Sequence, residues 1–314
     1  MLELNTIHNG DSLQLMMLLD DESIDTIITS PPYWQKRDYR VEGQIGLEAT
    51  PDEFIGKLFD VFHQSKRVLK ESGSLWIVIS DSYSGNKNGI TDSKLAYMGE
   101  QIICKRTNNI PRKSLMMIPE RLTIMMIDDG WILRNKIIWQ KPNIMPSSVA
   151  DRFTVDYETI FFFTKSSRYY FEQQKEPMMS RGSKGELGNQ HSGRRKQNEV
   201  GRADYTGFNA RYEPPKDGLR NKRSVWNIPS SPGYDDNHFA TFPEDLVKIM
   251  IKAGSPKDGV VLDCFSGSGT TCAVAKRLQR QYIGFELNAD YLSESNKRIR
   301  RMPIEYTIDD FIRG

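Results

Sequence analysis

The sequence predicts an α/β protein built on a doubly wound, mostly parallel sheet with helices on both faces. Two observations predict it. Short apolar runs of strand length alternate along the chain with longer segments of helical apolar spacing. Near the C-terminal end, a glycine-rich turn joins one such strand directly to a helix. At 314 residues, the chain is long enough for one large α/β domain carrying a sizeable insertion.

Taken in order, "SIDTIITS" (23–30) reads as a short buried strand. "PDEFIGKLFDVFHQSKRVLK" (51–70) places apolar residues at helical spacing behind Pro51 and Asp52, and reads as a helix. "GSLWIVIS" (73–80) is a strand after a glycine. "LMMIPERLTIMMIDDG" (115–130) is a helix closed by Gly130. "WILRNKIIWQK" and "YETIFFFTK" are two further strands. "GVVLDCFSGSGTTCAVAKRLQ" is strand, turn and helix. "QYIGFELN" and "ADYLSESNKRIRRM" add a last strand and a last helix.

Residues 175–223 break this rhythm. They are rich in Gly, Arg, Lys, Asn and Gln and poor in branched apolar residues, so they bury little surface. A second, smaller interruption is 82–114. Net charge is only +2 overall, which excludes a uniformly basic coat protein. Between Lys165 and Arg223, however, fourteen Lys or Arg stand against seven Asp or Glu. A local excess of that kind fits a polyanion partner on one face or a solvated polar loop.

The three cysteines, Cys104, Cys264 and Cys272, form neither a disulfide framework nor a zinc site, and no metal is expected. No apolar run is long enough to span a membrane, and no signal peptide is visible, so a cytoplasmic protein is expected.

In "VVLDCFSGSGTT", Gly267 and Gly269 let the backbone approach a ligand closely, and the following helix offers free N–H groups. The pattern is neither the dinucleotide fingerprint, since Cys272 stands where a third glycine would be, nor a phosphate-binding P-loop. About twenty residues on, Glu286 ends a strand, where a carboxylate suits the two hydroxyls of a ribose. It would equally serve as a charge at the start of the next helix. Asp263, the glycines and Glu286 together point to an adenosine-containing cofactor.

"TSPPYW" ends the first predicted strand in two prolines, which cannot donate to a sheet. With "DCFSGSGTT" it resembles the amino-methyltransferases of DNA. These carry a [DNS]PP[YFW] tetrapeptide and an FxGxG turn, here Ser30-Pro31-Pro32-Tyr33 and Phe265-Ser266-Gly267-Ser268-Gly269. The tetrapeptide first and the glycine turn last resembles the circularly permuted β group. The likeness covers roughly 1–80 and 224–295.

The resemblance implies a seven-stranded class I methyltransferase sheet, S-adenosyl-L-methionine as cofactor and double-stranded DNA as partner. A base in a duplex must be flipped out to be reached. Ser30 Oγ and the Pro31 carbonyl would accept from the target amine, Pro32 would help hold that carbonyl, and Tyr33 would stack on the base. The cofactor would be met by Asp11, His238, Ala240, Thr241, Phe242, Asp263, Phe265, Ser266, Gly267, Gly269, Thr270, Glu286 and Leu287. Asp11 also reads as the cap of a helix over "SLQLMMLL". Asp81, after "WIVIS", either faces the pocket or caps a turn.

No cysteine follows the prolines, which argues against carbon-5 chemistry through a thiolate. The expected step is direct in-line transfer. Serine at the first position resembles the cytosine-N4 enzymes, with adenine-N6 methylation the alternative and a non-catalytic DNA-binding protein a remoter one. The expected core is 1–81 and 224–295 with strands from 115–164. The expected target-recognition insertions are 82–114 and 165–223, and 296–314 is a C-terminal extension. Arg194, Arg195, Lys196, Arg220, Lys222 and Arg223 are the expected phosphate contacts. The family's link to restriction–modification implies a cognate endonuclease sharing the site. The sequence requires no obligatory protein partner, and a monomer or homodimer is expected.

Overall fold

The computed structural model describes residues 2–84, 110–178, 217–230 and 242–306. In chain order it contains β1 (Thr6–Asn9), α1 (Ser12–Met17), β2 (Ile24–Thr29), α2 (Pro51–Val68) and β3 (Leu69–Ile79). Next come α3 (Ile118–Asp128), β4 (Ile132–Gln140), β5 (Tyr157–Thr164), β6 (Lys175–Pro177), β7 (Leu219–Asn221) and β8 (Val225–Asn227). The last are α4 (Glu244–Gly254), β9 (Val260–Asp263), α5 (Thr270–Arg277), β10 (Gln281–Glu286) and α6 (Ala289–Arg301).

One sheet carries eight strands in the order β1-β10-β9-β2-β3-β5-β4-β8. Every neighbouring pair is parallel except the two involving β5. The expected seven strands are present, and β8 adds an eighth at the edge by pairing Val225–Asn227 with Ile138–Gln140. Three residues carry too little periodicity to announce such a strand.

The sheet is apolar on both faces because both are covered. On one face Ile27, Leu75, Ile77, Phe161, Phe163, Leu262 and Phe285 pack with α1, α2 and α3. On the other, Ile28, Trp76, Val78, Phe162 and Val261 pack with α4, α5 and α6. Trp76 stacks on Phe162 at 4.0 Å. Helix α2 starts at a full capping box: Thr50 accepts from the Glu53 amide, and Glu53 reaches back to the Thr50 amide.

Some boundaries differ from those predicted. β3 begins at Leu69 rather than Gly73, because its register against β2 jumps from Ile24↔Leu69 to Thr26↔Ser74. Gly73 sits in that irregularity where a Cβ would lie 2.6 Å from Leu69 Cγ. Helix α3 starts at Ile118 rather than 115, since Met117 is left-handed (φ 55°) and cannot continue a helix. Helix α6 runs through to Arg301, across the expected boundary at 296. The chain forms two compact units, Met1–Glu172 with Ser224–Gly314, and Gln173–Arg223. Residues 165–172 belong to the first, so the insertion begins eight positions later than predicted.

The order of connections fixes where a site can form. From β9 the chain crosses over α5 to β10, toward one edge. From β2 it crosses over α2 to β3, toward the other. The reversal falls between the neighbours β9 and β2, and a crevice at such a switch point is the usual ligand site of open parallel sheets.

Candidate active site

Two turns leave the carboxyl ends of β2 and β9, and both open on the switch point. Two adjoining hollows lie there, of about 110 and 100 Å³. Ser30, Tyr39, Phe265, Gly267 and Tyr291 line both. The turns carrying Ser30 and Gly267 therefore face each other, as the doubly wound topology requires.

Each glycine of the turn has its own reason. Gly269 is left-handed (φ 73°) at the N-cap of α5, and a Cβ there would lie 2.8 Å from Ser295 Cβ and 3.2 Å from Ile7 Cδ1. It is a packing glycine. Gly267 is also left-handed (φ 51°), but a Cβ there would meet nothing within 4 Å. Its open side belongs to the hollows it lines.

Glu286, at the end of β10, closes the turn from the other side. Its Oε2 accepts from the Gly267 amide at 2.7 Å and its Oε1 from the Asn288 amide at 2.8 Å. Burial holds its carboxyl above the usual range. Each oxygen keeps a further lone pair, and the residue lines the first hollow with Leu287, Asn288 and Phe285. Phe242, Ser266 and Thr270 line the second with Arg37 and Ser268.

Asp11 caps α1 at the edge of the first hollow. Its Oδ1 accepts from the Gln14 amide at 3.0 Å as the cap of α1, and the residue also lines the first hollow.

Asp263 differs from expectation, and Asp81 takes the second of its two readings. Asp263 lines neither hollow. It is buried beneath the turn, where Oδ1 accepts from Thr29 Oγ1 at 2.6 Å and from the Phe265 amide at 3.1 Å. It ties the last residue of β2 to the glycine turn and so sets the spacing between them. Asp81 also lines neither. Its carboxylate accepts from the amides of Ser82, Met117 and Ile118, capping α3 in place of a side chain from the helix itself.

Burial raises the Asp263 carboxyl to about 6. The folded protein therefore holds that proton more tightly than the unfolded chain, whose carboxyl titrates near pH 4. The contribution is fully present below the unfolded value and is lost as pH rises through the folded one. Urea unfolding from about pH 4 to about pH 7 is expected to show the unaltered protein losing up to roughly 3 kcal/mol relative to Asp263→Asn. Parallel stability curves for the two proteins would remove the buried ionisation.

The proline turn is held from below and from the side. Pro31 is buried, while Ser30 and Pro32 line the first hollow. Tyr33 Oη donates to Glu158 Oε2 at 2.6 Å, and Glu158 also pairs with Lys141. Burial, then the Glu158 charge, hold the phenol well above its ordinary range, so it stays protonated.

The loop that follows covers the first hollow with Tyr39, Val41, Gln44 and Ile45. Its shape comes from its own hydrogen bonds. The Gln35 amide donates to the Gly46 carbonyl at 2.7 Å, the Gly46 amide to Glu48 Oε2 at 2.8 Å, and the Tyr39 amide to Gln44 Oε1 at 2.8 Å. Tyr39 meets Tyr291 edge to face at 6.2 Å.

Arg37, Tyr39, Gln44, Asn288 and Tyr291 were not predicted as site residues. The only trace of Asn288 and Tyr291 is their position two and five residues after Glu286. His238, Ala240 and Thr241 lie outside the described residues, as do Arg194, Arg195, Lys196 and Cys104. In the second unit, Arg220 and Arg223 donate to Glu176 Oε1 at 2.9 and 3.2 Å, with Lys222 Nζ 4.0 Å from Oε2. Three cations around one carboxylate leave that hairpin positive.

The fold is that of the class I methyltransferases. A cytosine-N4-specific PvuII DNA methyltransferase superposes with a TM-score of 0.61 at 20% identity, over 98% of this chain and 89% of that one. A putative DNA modification methylase of Thermus thermophilus, solved with S-adenosyl-L-methionine, gives 0.59 at 21% identity over 96% and 95%.

Sequence carries the relationship further. Residues 24–297 match the N6/N4 methyltransferase model, described as DNA methylase, and the chain belongs to that family. Type II methyltransferase M.Cfr9I of Citrobacter freundii is 36% identical over 303 residues, covering 95% of this chain and 89% of its own. M.SmaI of Serratia marcescens is 36% identical over 296 residues, covering 93% and 89%.

Proposed function

We propose that this chain transfers the methyl group of S-adenosyl-L-methionine to the exocyclic N4 amine of cytosine in double-stranded DNA, at a specific site. The observation that carries the reading is Ser30 on the wall common to both hollows, with Gly267 opposite.

The residues present fit the cofactor. The open side of Gly267 leaves room for backbone approach, the second lone pairs of Glu286 suit vicinal hydroxyls, and Phe265, Ile45 and Leu287 give apolar walls. Asp11 and Asn288 supply polar groups at its margin. When bound, the sulfonium supplies an electrophilic methyl group.

The chain's own residues do the rest. An amine conjugated with a pyrimidine ring is a poor nucleophile. Ser30 Oγ and the Pro31 carbonyl accept from its N–H bonds and draw the nitrogen toward a tetrahedral geometry. Pro31 and Pro32 fix the backbone that aims the carbonyl. The half-buried Tyr33 gives the extrahelical base an aromatic face, which offsets part of the few kcal/mol spent on unstacking it. Serine at position 30, rather than aspartate or asparagine, favours cytosine.

The second unit, with its positive hairpin, and the residues between 82 and 114 are the proposed recognition surface. The type II names of the relatives support modification of restriction sites as the setting of the activity.

Nucleoside mass spectrometry of unmethylated DNA after incubation with the protein and S-adenosyl-L-methionine tests this directly. N4-methylcytosine is the expected product, reduced at least about 10²-fold by Tyr33→Ala, which removes the stacking face. N6-methyladenine would keep the transfer and overturn the base assignment. No modified base, on DNA rich in varied sequence, would overturn the reading.

A further inference from the structure

A serine hydroxyl is too weak a base to keep the proton that the amine must shed. Aspartate at that position could hold it, whereas Ser30 has to pass it on. The structure provides a path. Behind Ser30 stands Tyr33, whose Oη donates to Glu158 Oε2 at 2.6 Å. Ser30 stands three positions before Tyr33 on the same turn, and its side chain acts on the phenol to lower its pKa against the larger effect of burial. Glu158 is on β5, separated from β2 by β3 in the sheet, with its side chain only 15% exposed. Lys141 pairs with its other oxygen and lies 4.3 Å over the Trp139 ring. That pairing holds Glu158 in place, and the raised phenol keeps a proton between the two ends.

We infer that Ser30, Tyr33 and Glu158 form a proton exit from the target amine, with Glu158 as the final acceptor. The inference rests on the amine-methylation reading. The amine lone pair forms the new N–C bond, and the pair of the breaking S–C bond stays on the sulfonium sulfur, which becomes a neutral thioether. One N–H proton passes to Ser30 Oγ as the Ser30 hydroxyl proton moves to Tyr33 Oη, and the phenol proton moves to Glu158. One carboxylate becomes one carboxylic acid, and both hydroxyls are restored. Lys141 acts as a positioning residue, holding Glu158 in place.

Single-turnover methylation by the full chain, measured in H₂O and D₂O, tests the path. The variants are Tyr33→Phe, which keeps the ring and deletes only the hydroxyl, Glu158→Gln, and the two combined. Each single change is expected to slow transfer about 10²-fold, the scale of proton transfer by a positioned group. The combined change is expected to be no slower than either one, because both cut one chain. The unaltered protein should show a solvent isotope effect with a curved proton inventory, and both variants should lose the curvature. The Kd for DNA and for S-adenosyl-L-methionine should stay within about twofold of the unaltered chain.

Three results would overturn the path: Tyr33→Phe within about threefold of the unaltered rate, multiplicative losses in the double variant, or no solvent isotope effect in the unaltered protein. A merely structural link would instead weaken DNA binding and leave the isotope effect in place. Failure of the unaltered chain to methylate at all would overturn the functional reading, and the inference with it. The unaltered reaction is therefore run first on the same DNA.

Discussion

Replacing Gly269 with alanine is expected to destabilise the protein by about 2–4 kcal/mol, while the same change at Gly267 removes only about 1 kcal/mol. Both residues are left-handed, so both variants carry the strain of an L side chain in that region. Only at position 269 does the new methyl also collide, with Ser295 on α6 and Ile7 on β1. Neither of those can retreat cheaply, since α6 packs across β1 and both are fixed by the core. At position 267 the methyl points into open space.

The ligand responses should run the other way. Gly267→Ala is expected to fold and yet weaken S-adenosyl-L-methionine by at least about tenfold, because the methyl occupies the approach side of the turn. Urea unfolding and calorimetric titration read the two effects separately. Equal stability losses would mean that the crowding at Ser295 is relieved by a shift of α6. An unchanged cofactor Kd for Gly267→Ala would mean that the open side belongs to something else.

Glu286→Gln is expected to lower cofactor affinity by about 10²-fold, with DNA binding in the absence of cofactor unchanged. The carboxylate accepts two backbone amides at once, from Gly267 and Asn288. A glutamine amide can keep one of those bonds, but its NH₂ group must then face the other N–H. The glycine turn loses one anchor, and the bound hydroxyls lose a charged acceptor, worth roughly 1.5–3 kcal/mol for a hydrogen bond to a charged group. Calorimetry that returned an unaltered Kd would take Glu286 out of the cofactor site and leave it a purely local brace.

The parts of the site that could be read from the sequence are those where chemistry restricts residue choice in a short window. Two prolines closing a strand, two glycines opening a helix and an acid at the next strand end are each costly elsewhere, so they stand out. Asp263 was legible as important but not in its role. Its position directly before the turn fits a ligand contact and a buried brace equally well, and only its bond to Thr29, 234 positions away, separates them. Arg37, Tyr39 and Gln44 were illegible because their loop is shaped by Gln44 and Glu48 bonding to backbone a few residues away, a pattern without a period. Glu158 gave no signal at all, being one polar residue at the mouth of an apolar strand. β1 and β8, of four and three residues, are too short for alternation to register.

The order of strands has a consequence for how the protein comes into being on the ribosome. β1 is the first strand made, yet among the described residues it pairs with β10, the last. β9 and β10 must enter between β1 and β2, which are separated in the finished sheet by strands not yet synthesised when both already exist. The strand that leads into Ser30 is therefore made long before the strand that leads into the glycine turn. Until the C-terminal stretch from β9 onward emerges, a nascent chain carries an unfilled gap between β1 and β2 and no glycine turn. Such long-range closure makes for slow folding. A chain interrupted anywhere before β9 would carry Ser30 and no Gly267 to face it.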